Sequence, residues 1–183
     1  MLPVDYVVRP ARTSDVRAIR RLVNANVASG RLLDKATVTL YEDIQEFLVA
    51  ERASAAGSFG GSPPRDSTAE VIGCGALHVM WEDLAEIRTI AVDETCQREG
   101  AGHLLVEALL ARARQVGVRR VFVLTFAVKF FGRLGFEEIG GEAASPEVYA
   151  ELLRSYDEGV AEFLDLDRVK PNTLGNTRML LRL

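Results

Sequence analysis

The chain has 183 residues, 48% of them apolar, and a formal net charge of −4. That length and composition fit one domain, 1–183, built around a hydrophobic core, and the acidic balance argues against a general nucleic-acid binder. No apolar run reaches the length of a membrane span, no signal-peptide pattern precedes Asp5 and Arg9, and Cys74, Cys96, His78 and His103 lack metal-site spacing, so a cytoplasmic protein with reduced thiols and no metal is expected.

In chain order, 6–9 reads as a first strand. Thr13, Ser14 and Asp15 offer helix caps, and Val16, Ile19, Val23 and Val27 recur at helical spacing until Gly30. Thr37 is placed to cap a second helix with Leu40 and Ile44 on one face, and 47–50 reads as a strand. Residues 54–67, rich in Ala, Gly, Ser and Pro, read as a flexible hairpin connection. Strands are expected over 71–81 and 86–92, with the turn at Asp83-Leu84 or Ala85.

A helix is predicted over 103–116, with Leu105, Leu109, Ala113 and Val116 on one face and Gly117 as its stop. The apolar run 121–124 suits a strand buried on both faces, parallel to the 86–92 strand through a right-handed crossover. A short helix over 127–134 ends at Gly135, and a strand begins at Phe136. Ser145-Pro146-Glu147 opens another helix, with Val148, Leu152 and Tyr156 along it. Residues 157–169 stay open between helix and loop, and 177–183 reads as the last strand. The order gives an α/β fold with one mixed central sheet, antiparallel at its N-terminal part, and helices on both faces.

The stretch from Glu86 to Gly102 carries the chemistry. It reads as strand, polar loop and glycine turn, with a helix directly behind. A helix start leaves backbone N–H groups without intrahelical acceptors and puts the positive end of the dipole beside them, which suits a pyrophosphate. The spacing is Gln97-x-x-Gly100-x-Gly102, unlike a dinucleotide site or a P-loop. Taken alone, it equally fits an ordinary loop capping a helix.

With the strand before it and Gly135-Phe136 after it, this pattern resembles the GCN5-related N-acetyltransferase fold. The segments 121–125, 130–136 and 169–179 are similar to those of the amino-acid N-acetyltransferases that make N-acetylglutamate for arginine synthesis. The resemblance covers most of the chain outside 54–67 and points to the short, stand-alone form. It implies acetyl-CoA as cosubstrate, a small amino acid as acceptor, no metal, no nucleic acid or membrane partner, and a possible homodimer. Glutamate is the expected acceptor, with glutamine its chief rival. Other acceptors (a protein N-terminus, a polyamine, an antibiotic) or a non-catalytic acetyl-CoA sensor are the alternatives.

Residue by residue, the resemblance assigns Gln97, Arg98, Glu99, Gly100, Ala101, Gly102 and His103 to the phosphates. It assigns the backbone of Ile90, Ala91 and Val92 to the thioester carbonyl and the pantetheine arm. Glu86 is the base candidate, acting through water; partial burial beside Trp81 or Ile87 would raise its pKa. A glutamate paired with Arg88 or with a neighbouring strand at the sheet edge is the plainer alternative. Phe131 fills the slot where most family members carry a tyrosine, and glutamate acetylators share this phenylalanine. Thr125 can donate to the sulfur, or simply satisfy backbone at the strand end. Arg88, Arg178 and Lys35, with Asn172 and Asn176, are candidates for the substrate carboxylates, because guanidinium forks match them.

Overall fold

The computed structural model describes residues 6–28, 32, 34–52, 70–140, 144–164 and 176–183. The expected loop 54–67 and the candidate Asn172 lie outside these residues. Among the described residues the helices and strands follow in the order β1 (Tyr6–Pro10), α1 (Val16–Ala28), α2 (Thr37–Glu42), β2 (Phe47–Arg52), β3 (Val71–Trp81), β4 (Leu84–Val92), α3 (Ala101–Gln115), β5 (Arg120–Thr125), α4 (Val128–Arg133), β6 (Glu137–Glu138), α5 (Pro146–Leu152), α6 (Glu158–Phe163) and β7 (Thr177–Arg182). The sheet has seven strands in the order β1-β2-β3-β4-β5-β7-β6. Its parallel pair is β4 with β5, in register from Leu84↔Arg120 to Glu86↔Phe122. The α/β fold, the mixed sheet and the crossover are as the sequence predicts.

Two compact units are distinguished, and β3 and β4 run through both. In the first, residues 1–76 and 89–109, the apolar face of α1 (Val16, Ile19, Val23) packs with Leu40, Phe47, Val49, Cys74 and Ala91. Val27 lies at the edge of this core, as its spacing predicts. β3 is cut down where α3 lies on it. A Cβ at Gly73 would sit 2.9 Å from Leu105 Cδ1, and one at Gly75 would overlap Ile90 Cδ1 of β4 and sit 3.0 Å from Leu109 Cδ1. Gly73 makes room for α3, and Gly75 makes room for both Ile90 and α3.

In the second unit, residues 77–88 and 110–183, Met80, Leu84, Phe122, Leu152, Val160, Phe163 and Leu180 form the core. Phe122 and Phe163 meet edge to face with centroids 5.4 Å apart. β5 pairs antiparallel with β7 along its whole length, from Arg120↔Arg182 to Thr125↔Thr177. The end of α3 takes positive φ at Gly117 (+90°) and the end of α4 at Gly135 (+89°), as their expected stop roles require.

Several local expectations are corrected. The β3–β4 turn is Glu82-Asp83, and Leu84 and Ala85 are fully buried strand residues. The turn is set there because Asp83 is tied to β5: its carbonyl accepts the Arg119 and Arg120 amides at 2.9 and 2.8 Å, and its carboxylate accepts two bonds from the Arg120 guanidinium. Thr37 does not cap α2. Ala36 takes the cap position without a side-chain bond, and the Thr37 hydroxyl instead accepts from Arg20 Nη1 at 2.5 Å. α3 begins at Ala101, two residues earlier than expected, and stops at Gln115, leaving Val116 54% exposed. Tyr156 falls beyond α5 and is 95% exposed. The strand after Phe136 is only Glu137–Glu138.

Candidate functional site

In the first unit, β4 ends in a turn anchored by Asp93. Its carboxylate accepts from the Thr95 amide (3.1 Å), the Thr95 hydroxyl (2.7 Å) and Arg21 Nη1 (3.0 Å). The Thr95 hydroxyl and amide, with lesser help from Arg21, hold the Asp93 carboxyl below its ordinary range. The chain then passes Cys96, 1% exposed, whose sulfur accepts from Arg52 Nη2 at 3.0 Å. Arg98 follows at φ +67° and Gly100 at φ +97°, and α3 starts at the next residue. Alternation of this kind turns successive amides toward one side. Gly100 stands in the open, since a Cβ there would meet nothing within 4 Å. Gln97, Arg98 and Glu99 are exposed, Gly102 is half-buried and Ala101 is buried beneath the turn.

One side chain of this turn and one of the first turn of α3 are engaged elsewhere. The Glu99 carboxylate accepts the Tyr6 hydroxyl from β1. Burial, and then that bond, hold the Tyr6 phenol above its ordinary value. His103 Nε2 lies 3.1 Å from Glu107 one turn along α3. In β4, Ile90 and Val92 are half-buried and Ala91 is buried; the residue just before these three, Thr89, takes φ +58°. A non-glycine residue in that region marks an irregularity in the strand. Lys35 also belongs to this unit; it is half-buried, and its carbonyl accepts from Arg20 Nη1 at 3.3 Å.

The second unit holds Glu86, Arg88, Thr125, Asn176 and Arg178. Leu84, Glu86 and Arg88 alternate along β4 and so share one face. Leu84 lies in the core with Val160 and Phe163, and the Glu86 carboxylate lies against Gly159. Arg88 Nη1 donates to Asp157 Oδ2 at 2.9 Å, and His78 Nε2 lies 3.6 Å from the same oxygen. Glu86 is 6% exposed. The register sets Thr177 opposite Thr125 and Arg178 opposite Leu124. The Thr125 hydroxyl accepts the Ala127 amide at 2.9 Å, which is the plain strand-end role, and as a hydroxyl it keeps a proton to donate. Arg178 Nη2 donates to the Phe163 carbonyl. Phe131 is 4% exposed and stacks edge to face on Phe130 and Phe136 at 5.1 and 5.2 Å.

Asp157 is the member of this group that sequence reasoning missed. Burial works to raise its pKa, but the Arg88 hydrogen bond and charge, with His78 and the Val160 amide, outweigh it and hold the carboxyl below its ordinary range. The signal lay in its position three residues before Val160, whose amide it caps at 3.1 Å. Among the described residues no cluster of three or more His, Cys, Asp or Glu has metal-binding geometry, and no helix is long and apolar enough to cross a membrane.

Residues 30–136 match the model of the acetyltransferase (GNAT) family, and the chain belongs to that family. It is 55% identical over 175 residues to an amino-acid acetyltransferase of Mycobacterium tuberculosis, covering 96% of this chain and 93% of that one. The crystal structure of Rv2747 from Mycobacterium tuberculosis in complex with CoA and NLQ superposes with a TM-score of 0.82 at 54% identity, covering 97% of this chain and 99% of the other. An N-acetylglutamate synthase of Neisseria gonorrhoeae, complexed with coenzyme A and N-acetyl-glutamate, shares the fold at a TM-score of 0.71 and 21% identity. It covers 98% of this chain and 35% of that one.

Proposed function

We propose that this chain moves the acetyl group of acetyl-CoA to the α-amino group of L-glutamate or L-glutamine, as the entry step of arginine synthesis. The observation that carries the reading is the 55% identity, nearly end to end, with an enzyme named amino-acid acetyltransferase. The turn at Gly100 supports the donor half: an open glycine at positive φ ahead of a 15-residue helix is chemistry suited to a diphosphate.

In this reading the amides from Gln97 to His103 hold the phosphates, Arg98 adds a cation, and Glu99 and His103 contribute through backbone. The amides of Ile90, Ala91 and Val92 take the thioester carbonyl and stabilise its developing negative charge. Phe131 lies under the thiol end of the arm. Arg88 and Arg178, with Asn176, Asn172 and Lys35, receive the carboxylates of the amino acid. Glu86, through a water, takes a proton from the α-ammonium. The amine nitrogen then attacks the carbonyl carbon and gives up its second proton, the C–S bond breaks, and the thiolate leaves with a hydrogen bond from Thr125 and takes up that proton. The products are the N-acetyl amino acid and coenzyme A.

Thiol release from acetyl-CoA, screened across the amino acids and a panel of amines, tests this. Turnover confined to glutamate, glutamine or a close relative is the expected result. Turnover on cationic amines alone would move the acceptor to another class. Saturable acetyl-CoA binding with no turnover on any amine would make the chain a sensor.

A further inference from the structure

The start of α6 touches both polar side chains that β4 presents on one face. Asp157 accepts from Arg88 Nη1 at 2.9 Å through Oδ2 and from the Val160 amide at 3.1 Å through Oδ1, with His78 Nε2 at 3.6 Å. The Asp157 amide in turn donates to the Ser155 hydroxyl at 3.1 Å, so the turn is itself fixed. Two residues on, Gly159 lies against Glu86. A Cβ there would sit 2.8 Å from Glu86 Cδ and 3.1 Å from Asp157 Oδ1, and would overlap Glu86 Oε2.

Glycine is a costly choice at this position. It is the second residue of α6, and glycine there gives up more backbone freedom on folding than alanine would. Its φ is not in the left-handed region, so the backbone does not require it. What glycine provides is room for a carboxylate. The atoms it spares are the far end of a flexible side chain, so a methyl group would push the Glu86 carboxylate aside and leave the backbone in place.

We propose that the Asp157–Gly159 turn is a positioning element for the acceptor half of the reaction: Asp157 sets the Arg88 guanidinium, and Gly159 sets the seat of the Glu86 carboxylate. This rests on the proposed acetyl transfer to an amino acid. A guanidinium held through Nη1 cannot sweep about its long stem, so its ordering is done before the amino acid arrives. A base held by contact with one helical residue stays within the small tolerance that proton transfer requires.

Steady-state kinetics of three variants, with melting temperatures alongside, test the assignment. Gly159→Ala is expected to lower kcat roughly 10- to 100-fold, to leave both KM values within about twofold and to hold or raise the melting temperature. Asp157→Asn is expected to raise the amino-acid KM about tenfold and leave the acetyl-CoA KM alone. Arg88→Ala combined with Asp157→Asn should be no worse than Arg88→Ala by itself, because the two act as one unit. Wild-type kcat in Gly159→Ala, equal loss for both substrates in Asp157→Asn, or lower melting temperatures with unchanged kinetics would each overturn the assignment while the acetyl-transfer reading stands. A wild-type enzyme that turns over no amino acid would overturn both.

Discussion

Arg9 grips the Asp15 carboxylate with both prongs of its guanidinium, Nη1 to Oδ2 at 2.7 Å and Nη2 to Oδ1 at 3.0 Å. Asp15 Oδ2 also accepts the Arg12 amide at 2.7 Å, and Arg9 reaches on to Glu51. Burial works to raise the Asp15 carboxyl, yet the Arg9 and Arg12 bonds hold it below its ordinary value of 3.8. The folded state thus binds this proton more weakly than the unfolded chain. The stability it contributes is present above about pH 4 and is lost as the pH falls through the depressed folded value. Asp93 and Asp157 are shifted in the same direction. Calorimetry from pH 7 to pH 3 should show the melting temperature falling below pH 4. Asp15→Asn should cost about 2 kcal/mol at pH 7 and flatten that fall.

Gly100→Glu places a strained residue at φ +97° and an extra negative charge beside the proposed phosphate site. Calorimetric titration with coenzyme A should show affinity reduced by roughly 100-fold or more, about 3 kcal/mol, with the melting temperature down only slightly. A Cβ at this position meets nothing within 4 Å, so Gly100→Ala reports the backbone strain alone and should lose much less. Unchanged affinity in Gly100→Glu would take the diphosphate away from this turn.

Glu86→Gln keeps the shape of a side chain that is 6% exposed and removes its ability to accept a proton. Initial rates at pH 7.5 should show kcat lowered by about 10²- to 10³-fold with both KM values near wild type. If the variant turns over at the wild-type rate, the base is another group.

Arg178 sits opposite Leu124 on β5 and donates to the Phe163 carbonyl. Arg178→Ala should therefore do two things: raise the amino-acid KM about tenfold and lower the melting temperature by a few degrees. An amino-acid KM that stays at its wild-type value would leave Arg178 with the structural task alone.

Burial pushes the Cys74 thiol up to about 12. At pH 7.5 almost none of it is thiolate, and the thiolate is the reactive form. Mass spectrometry after iodoacetamide treatment should find Cys74 unlabelled in the native protein and fully labelled in guanidinium chloride. Rapid native labelling would mean that β3 opens readily.

The features that the sequence made legible are those written over short spans. Val16, Ile19 and Val23 announce α1 because a helix repeats every 3.6 residues. Gly117 and Gly135 announce helix ends because few other residues adopt positive φ. Gly100 announces the turn before α3 for the same reason, whereas Gly102 falls inside the helix. Expectations failed where an element end is set by its neighbours. The β3–β4 turn moved to Glu82-Asp83 because Asp83 is claimed by Arg120, 37 residues away. Thr37 lost its cap role to Arg20.

The chain's own order of residues was enough for the α/β class, the parallel β4–β5 pair and the glycine turn ahead of α3, because periodicity and backbone freedom are local properties. It was not enough for the company that Glu86 and Arg88 keep. Arg88 meets Asp157 across 69 residues, and Glu86 lies against Gly159 only because α6 packs on the face of β4. A carboxylate's partner is whatever the folded core brings within 3 Å of it, and no spacing along the chain encodes that distance.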